Sequence, residues 1–212
     1  MFCVTKDGLC KRVQVSEFES IRQTGKIAIT LKENDELIGV KLTSGHDEII
    51  IAGSNGKAVR FNEQDVRPMG RTASGVKGFN TDGSNVVGIA TDKEGQFILS
   101  VTRNGYGKKS ELSEYRITNR GAKGVKTINI TEKNGELVEL KAVNGDEDLL
   151  MVTNEGVIIR INLETVGVYG RSTQGVRLIN VQDEQYLQTV AVLEKEQEDS
   201  EEIVIKEESV EE

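Results

Sequence analysis

Breaking or making a covalent bond calls for a nucleophile beside a base, or for a cluster of metal ligands. This chain offers little of either. Its candidate nucleophiles are four tyrosines, Tyr106, Tyr115, Tyr169 and Tyr186. Tyr115 and Tyr186 fall at apolar strand or strand-end positions, where packing is the expected role. The single histidine, His46, stands beside Asp47 in a turn and has no second imidazole with which to share a metal or a proton relay. Cys3 and Cys10 flank the first turn of a hairpin, where a cross-strand disulfide is conceivable. The next repeat has Ile51 and Ala58 at the equivalent positions, so strand packing alone also accounts for them. There is no glycine-lysine phosphate loop, no histidine to activate a serine or cysteine, and no group of residues at metal-ligand spacing. The expectation is a chain that is not itself an enzyme and needs no cofactor.

What the sequence does hold is a periodic set of cations. After each of four glycine turns come Lys11 and Arg12, Lys57 and Arg60, Lys108 and Lys109, and Arg160, with Arg103 in the third turn itself. Longer polar loops then carry Arg67 and Arg71, Arg116, Arg120 and Lys123, and Arg171. Lys77, Lys126 and Arg177 follow those loops. Cations at a fixed repeat interval can track a ligand whose negative charge also repeats, such as a phosphate backbone. Arginine beside glycine suits phosphate, because the guanidinium binds through two parallel bonds and glycine leaves backbone N–H groups exposed. Aromatic residues make up only 4% of the chain and are not interleaved with the basic loops. Stacking on single strands is therefore disfavoured, and duplex held by its backbone is preferred. Solubilisation of exposed strand edges is the competing account of the same cations.

The elements that position these cations follow from the repeat. The segments Val4-Thr5-Lys6-Asp7-Gly8, Ala52-Gly53-Ser54-Asn55-Gly56, Val101-Thr102-Arg103-Asn104-Gly105 and Val152-Thr153-Asn154-Glu155-Gly156 place marker glycines 48, 49 and 51 residues apart. Nine residues after each marker stands Glu17, Asp65, Glu114 or Thr165; an arginine follows (Arg22, Arg71, Arg120, Arg171), and then a second glycine (Gly25, Gly75, Gly124, Gly175). A period near fifty is that of a propeller blade. Each repeat, beginning near residues 1, 48, 97 and 148, reads as four short strands. In the second they are 48–53, 58–61, 76–79 and 86–90, with an Asn-Gly hairpin turn whose two central residues are both expected at positive φ. Nothing reads as helical. The fold class is all-β, a propeller-like array of about four four-stranded blades over residues 1–193.

Charge divides the chain differently. The formal net charge is −8, and residues 194–212, with ten acidic side chains and two lysines, carry all of it; residues 1–193 balance to zero. The tail is expected to be largely disordered, with 203–205 able to add one strand. A chain with 36% hydrophobic residues and no apolar run of membrane length is expected to be cytoplasmic, with no membrane partner. A balanced body also suits a propeller that binds other proteins and not DNA.

The segments Asp65-Val66-Arg67-Pro68-Met69-Gly70-Arg71-Thr72-Ala73, Thr102-Arg103-Asn104-Gly105-Tyr106-Gly107-Lys108-Lys109 and Gly170-Arg171-Ser172-Thr173-Gln174-Gly175, with the strands between them, resemble the C-terminal domain of the DNA gyrase A subunit, more than its topoisomerase IV counterpart. The resemblance spans residues 1 to 192. It implies a β-pinwheel whose blades exchange strands and whose basic rim wraps double-stranded DNA. It also implies a parent type II topoisomerase, near the bacterial nucleoid, that joins the rest of the A subunit to a B subunit and supercoils DNA with ATP. That family has six blades and a glutamine-arginine-arginine-glycine-glycine box in the first. Four repeats, with Asn119-Arg120-Gly121-Ala122-Lys123-Gly124 as the nearest segment, imply an array lacking the earlier blades and the box.

The tail's charge suggests competition with DNA for the basic rim, a solvated tail with no role being the other reading. Removing residues 194–212 is expected to tighten duplex binding at low salt, measured by fluorescence anisotropy. An unchanged affinity would count against that role.

Overall fold

The computed structural model describes residues 1–21, 23–182 and 184–194. Arg22 and the tail beyond Glu194, including the expected strand at 203–205, lie outside the described residues. The first repeat contributes β1 (Phe2–Thr5), β2 (Leu9–Arg12) and β3 (Leu37–Lys41). The second gives β4 (Glu48–Gly53), β5 (Lys57–Asn62), β6 (Val76–Lys77) and β7 (Val86–Thr91). From the third come β8 (Phe97–Thr102), β9 (Tyr106–Glu111), β10 (Val125–Lys126) and β11 (Leu137–Val143), and from the fourth β12 (Asp148–Thr153), β13 (Ile158–Asn162), β14 (Val176–Arg177) and β15 (Leu187–Leu193). Short 3₁₀ turns at 15–18, 63–65, 112–114 and 163–165 hold the position nine residues after each marker glycine, where the sequence had suggested no helical structure.

The strands form antiparallel sheets in the orders β3-β1-β2-β6, β7-β4-β5-β10, β11-β8-β9-β14 and β15-β12-β13. In the second, third and fourth repeats the short third strand (β6, β10 or β14) thus leaves its own sheet and pairs with the second strand of the repeat before, as the family resemblance implied. The expectation of four strands in every blade needs one correction: the last sheet has three among the described residues, and residues 26–29 of the first repeat form no strand. The exchanged strands are also shorter than expected, two residues each. Past Lys77 the chain leaves the ladder because Gly78 and Phe79 both donate their N–H to the Gly8 carbonyl, at 2.9 and 3.1 Å. Thr127 and Ile128 do the same to Gly56, at 2.9 and 3.3 Å, as do Leu178 and Ile179 to Gly105, at 2.8 and 3.2 Å.

The marker glycines close the hairpins in a different geometry from the one expected. In each turn the glycine N–H donates to the carbonyl three residues back (Thr5, Gly53, Thr102 or Thr153) at 3.0 Å, and only the glycine has positive φ, between 73° and 84°. This is a three-residue loop, a type I turn followed by a left-handed residue, in which Asn55 and Asn104 keep negative φ.

Hydrophobic cores lie between successive sheets. Side chains alternate across β4, so Ile49 and Ile51 pack with Phe2, Val4 and Phe61 on one side while Ile50 and Ala52 pack with Ile98, Leu137 and Leu140 on the other. A third core joins Leu99 and Val101 to Leu149, Met151 and Leu187. The innermost strands pack in sequence, β3 on β7, β7 on β11 and β11 on β15, with no comparable packing of β15 on β3. Within this array Cys3 pairs with Lys11 and Cys10 with Val4, which puts the two thiols on opposite faces of the sheet. Both are free and buried, and burial pushes the Cys10 thiol up to about 12.

The second glycine of each repeat lets the exchanged strand approach. A Cβ on Gly124 would lie 2.3 Å from the Ala58 carbonyl oxygen, at φ +72°, whereas one on Gly25, at φ +76°, would meet nothing within 4 Å. Gly25→Ala should therefore cost only the left-handed backbone term, about 1–2 kcal/mol. Gly124→Ala adds a backbone clash of about 1–3 kcal/mol. Urea denaturation of the two variants checks this; equal losses would contradict it.

Candidate nucleic-acid interface

The polar loops are laid across the neighbouring sheet by a repeated set of backbone bonds. Met69 N–H donates to Arg12 O, Thr118 N–H to Arg60 O and Tyr169 N–H to Lys109 O, each at 2.8 Å. These bonds bring the loop of one repeat over the second strand of the preceding one, where the sequence placed two groups of cations. The structure separates the cations by what surrounds them.

Lys11, Lys108 and Lys109 are buried, which corrects their assignment as DNA contacts. The Lys11 ammonium donates to the carbonyls of Ala28, Gly70, Arg71 and Ala73, Lys108 to that of Gly170, and Lys109 to Leu163 O at 2.8 Å. Turned inward, these ammonium groups satisfy loop carbonyls that would otherwise be buried without donors. In the intervening repeat Val59 takes the same place and packs in an apolar core near Ala122. Arg12 and Arg60 are half-buried ties as well: Arg12 bonds Gly45 O at 3.3 Å, and Arg60 reaches Leu112 O at 2.8 Å, Tyr115 O at 3.0 Å and Glu48 at 2.6 Å. Arg160, exposed, pairs with Asp148 at 2.7 Å.

The loop arginines form a second periodic set. Arg71 bonds Ile27 O at 3.1 Å, Arg120 bonds Lys77 O and Arg171 bonds Lys126 O, both at 3.0 Å. Each acceptor lies two residues after the second glycine of the preceding repeat. These side chains keep part of their surface open, so they staple adjacent blades while still presenting charge on the rim.

Arg67, Arg116, Lys77 and Lys126 are exposed. Among the described residues Arg67, Arg116 and Lys77 have no side-chain hydrogen bond or ion pair, and Lys126 bonds only the neutral Asn129, at 3.0 Å. They stand at two equivalent positions in adjacent repeats; in the fourth repeat the arginine position is taken by Gly167, while Arg177 continues the lysine position. Lys57 and Lys123 are nearby but share Asp82, at 3.6 and 3.3 Å. Arg103 lies 3.8 Å from the Tyr186 ring centroid and pairs with Glu136 at 3.5 Å. Arg177 holds the Tyr106 hydroxyl at 3.0 Å and lowers its pKa. Lys133, which the repeat pattern did not single out because no counterpart marks it, joins this group 5.6 Å from the Tyr106 ring.

The residues weighed for catalysis do not assemble. Tyr115 is buried against Thr127, with its hydroxyl pushed up to about 12 by that burial. His46 is exposed and contacts Gln64 at 2.8 Å. No cluster of metal-ligating side chains occurs among the described residues.

A family model described as "DNA gyrase C-terminal domain, beta-propeller" matches residues 1–44, 47–91, 96–144 and 147–194, one match per repeat. The DNA gyrase A subunit of Staphylococcus epidermidis (strain ATCC 12228) is 48% identical over 195 residues, covering 91% of this chain and 22% of that protein. The subunit from Ureaplasma parvum serovar 3 is 45% identical over 193 residues, covering 91% and 23%. The chain thus spans about a fifth of these relatives. Among solved structures, a DNA gyrase A C-terminal domain superposes with a TM-score of 0.81 at 26% identity, over 91% of this chain and 64% of that one. A topoisomerase IV C-terminal domain gives 0.85 at 24% identity, over 91% and 61%, a likeness of fold.

Lys108 supplies a pH test of the buried tether. Burial lowers its pKa from 10.5 to about 8, so between those values the unfolded chain holds a proton that the folded chain has lost. Stability should then rise with pH across that window relative to Lys108→Met, which has no such titration. Thermal melts of both proteins read the difference; parallel curves would contradict it.

Proposed function

The chain belongs to the DNA gyrase C-terminal domain family, and from that premise we propose that it is a non-catalytic module that binds and bends duplex DNA for a parent type II topoisomerase. The observation that carries this reading is the placement of Arg67 with Lys77 and of Arg116 with Lys126 at equivalent positions of adjacent blades, without acidic partners. Arg71, Arg120 and Arg171 hold the blades in register and keep part of their surface open, with Arg171 also paired to Glu114 at 3.8 Å. A repeat that fixes the spacing of its cations suits a ligand with evenly spaced phosphates, and contributes no sequence readout.

Bending is the natural consequence of distributing such contacts over consecutive blades. Curving a short duplex through 40 to 90° costs about 1 to 6 kcal/mol, which several phosphate contacts with counterion release can offset. In the whole enzyme this module would work with the rest of the A subunit and with the B subunit, in the cytoplasm at the nucleoid, where ATP-driven strand passage supplies the catalysis. The isolated chain should neither nick nor relax DNA. The charge balance of residues 1–193 favours a second reading, a propeller that binds proteins and not DNA.

A salt series of duplex binding separates the two. For the intact chain, affinity should fall steeply with salt. Replacing Arg67, Lys77, Arg116 and Lys126 with alanine should flatten the log–log slope by about 3 to 4, near 0.9 for each phosphate no longer neutralised. Lys11→Met should leave the slope unchanged even if it lowers stability. Failure to bind at any salt, or a slope indifferent to the four exposed cations, would reject the DNA reading for this chain.

A further inference from the structure

The rim carries a second periodic feature that its cations do not account for. Twelve residues after the marker glycine, the second, third and fourth repeats have Pro68, Ile117 and Val168, where the first has Ser20. All three apolar side chains face solvent: Pro68 is exposed, Ile117 is 57% exposed and Val168 44%. A single exposed apolar residue is ordinary on a protein surface, but its recurrence at one position of three blades is not explained in that way.

Backbone pairing fixes where they stand. Pro68 pairs in parallel with Arg12, Ile117 with Arg60 and Val168 with Lys109, and the next residue of each loop donates its N–H to that same partner's carbonyl at 2.8 Å. Each apolar residue therefore sits on the outer edge of β2, β5 or β9, the edge that also receives the exchanged strand. Lys77, Lys126 and Arg177 are paired three positions back along that edge, opposite Leu9, Lys57 and Tyr106. At the rise of a strand that is about 10 Å away. Arg67 and Arg116 immediately precede Pro68 and Ile117. In the fourth repeat glycine replaces that arginine: a Cβ on Gly167 would lie 2.6 Å from the Tyr169 ring, so the ring fills the space where an arginine side chain would begin. Tyr169 is itself 40% exposed, and the rim there exchanges a cation for apolar surface.

We infer that Pro68, Ile117, Val168 and the Tyr169 ring are a non-ionic part of the duplex contact, packing against the deoxyribose faces between phosphates that the neighbouring cations neutralise. Given the DNA reading above, on which this rests, they add contacts whose strength salt does not screen. The surrounding charge selects the occupant. Arg67, Lys77, Arg116 and Lys126, without acidic partners among the described residues, flank the first two apolar positions. One small apolar group on each blade also suits a ligand that crosses several blades, whereas a protein partner calls for a contiguous patch. Sugar contacts set position without reading sequence, in keeping with a rim that holds duplex by its backbone.

A salt series of duplex binding, joined to calorimetry at several temperatures, tests this. Pro68→Ser, Ile117→Ser and Val168→Ser in one chain should lower affinity about tenfold or more at every salt concentration and leave the log–log slope unchanged, since no phosphate contact is lost. The heat-capacity change of binding should become less negative, because less apolar surface is buried. Ile117→Leu, which keeps an apolar side chain, should retain the affinity of the intact chain. All these positions are exposed, so melting temperatures should change little. Salt-dependent binding of the intact chain that the triple serine variant leaves unchanged, as a surface for a protein partner would give, overturns this inference alone. A loss that appears only as a flatter slope does the same. Failure of the intact chain to bind duplex at any salt overturns the DNA reading and this inference with it.

Discussion

Every sheet that has four strands in this molecule obtains the last one from the next repeat, and that dependence governs the rest of the structure. The donated strand is two residues long, so ladder bonds alone give little; the left-handed glycine turn adds a carbonyl that receives two N–H groups from just beyond the strand. A side chain at the second glycine would collide with the backbone it approaches, as Gly75 shows against Cys10 O at 2.5 Å. The marker glycine of one repeat and the second glycine of the next therefore serve one junction from opposite sides.

Once blades are joined in this way, the loop between the 3₁₀ turn and the donated strand must cross the neighbouring sheet, and its carbonyls face inward. Cations meet that need. Lys11 gathers three carbonyls of that loop, together with Ala28 O of its own repeat, and Lys108 one more, while Arg71, Arg120 and Arg171 tie each loop to the repeat before it. The same residue types thus divide between holding the array together and facing solvent. Since a buried ammonium without such partners would be expensive, the inward lysines are as much a part of the core as the apolar side chains between the sheets.

The repeat, its four copies, the all-β class and the turn positions were legible in the sequence because they depend on local chemistry. Glycine at a fixed interval marks positive φ, alternating apolar residues mark strands between two cores, and Asn-Gly marks a hairpin. The turn geometry was misjudged at Asn55 and Asn104, since Asn-Gly suits both a two-residue turn and the three-residue one found here. The shortness of β6, β10 and β14 was not legible either, because 76–79 is apolar enough to continue as a strand and stops only where Gly8 O captures its N–H groups.

The sequence by itself determined which cations recur and how far apart they stand along the chain. Only the tertiary structure decided which of them face water. Lys108 and Lys126 are the same residue type in the same repeat, yet one is buried against Gly170 O and the other is exposed beside Asn129. The difference lies in whether a loop from the following repeat closes over the side chain. That contact is made across some sixty residues of chain, a separation at which residue type and spacing carry no information about burial.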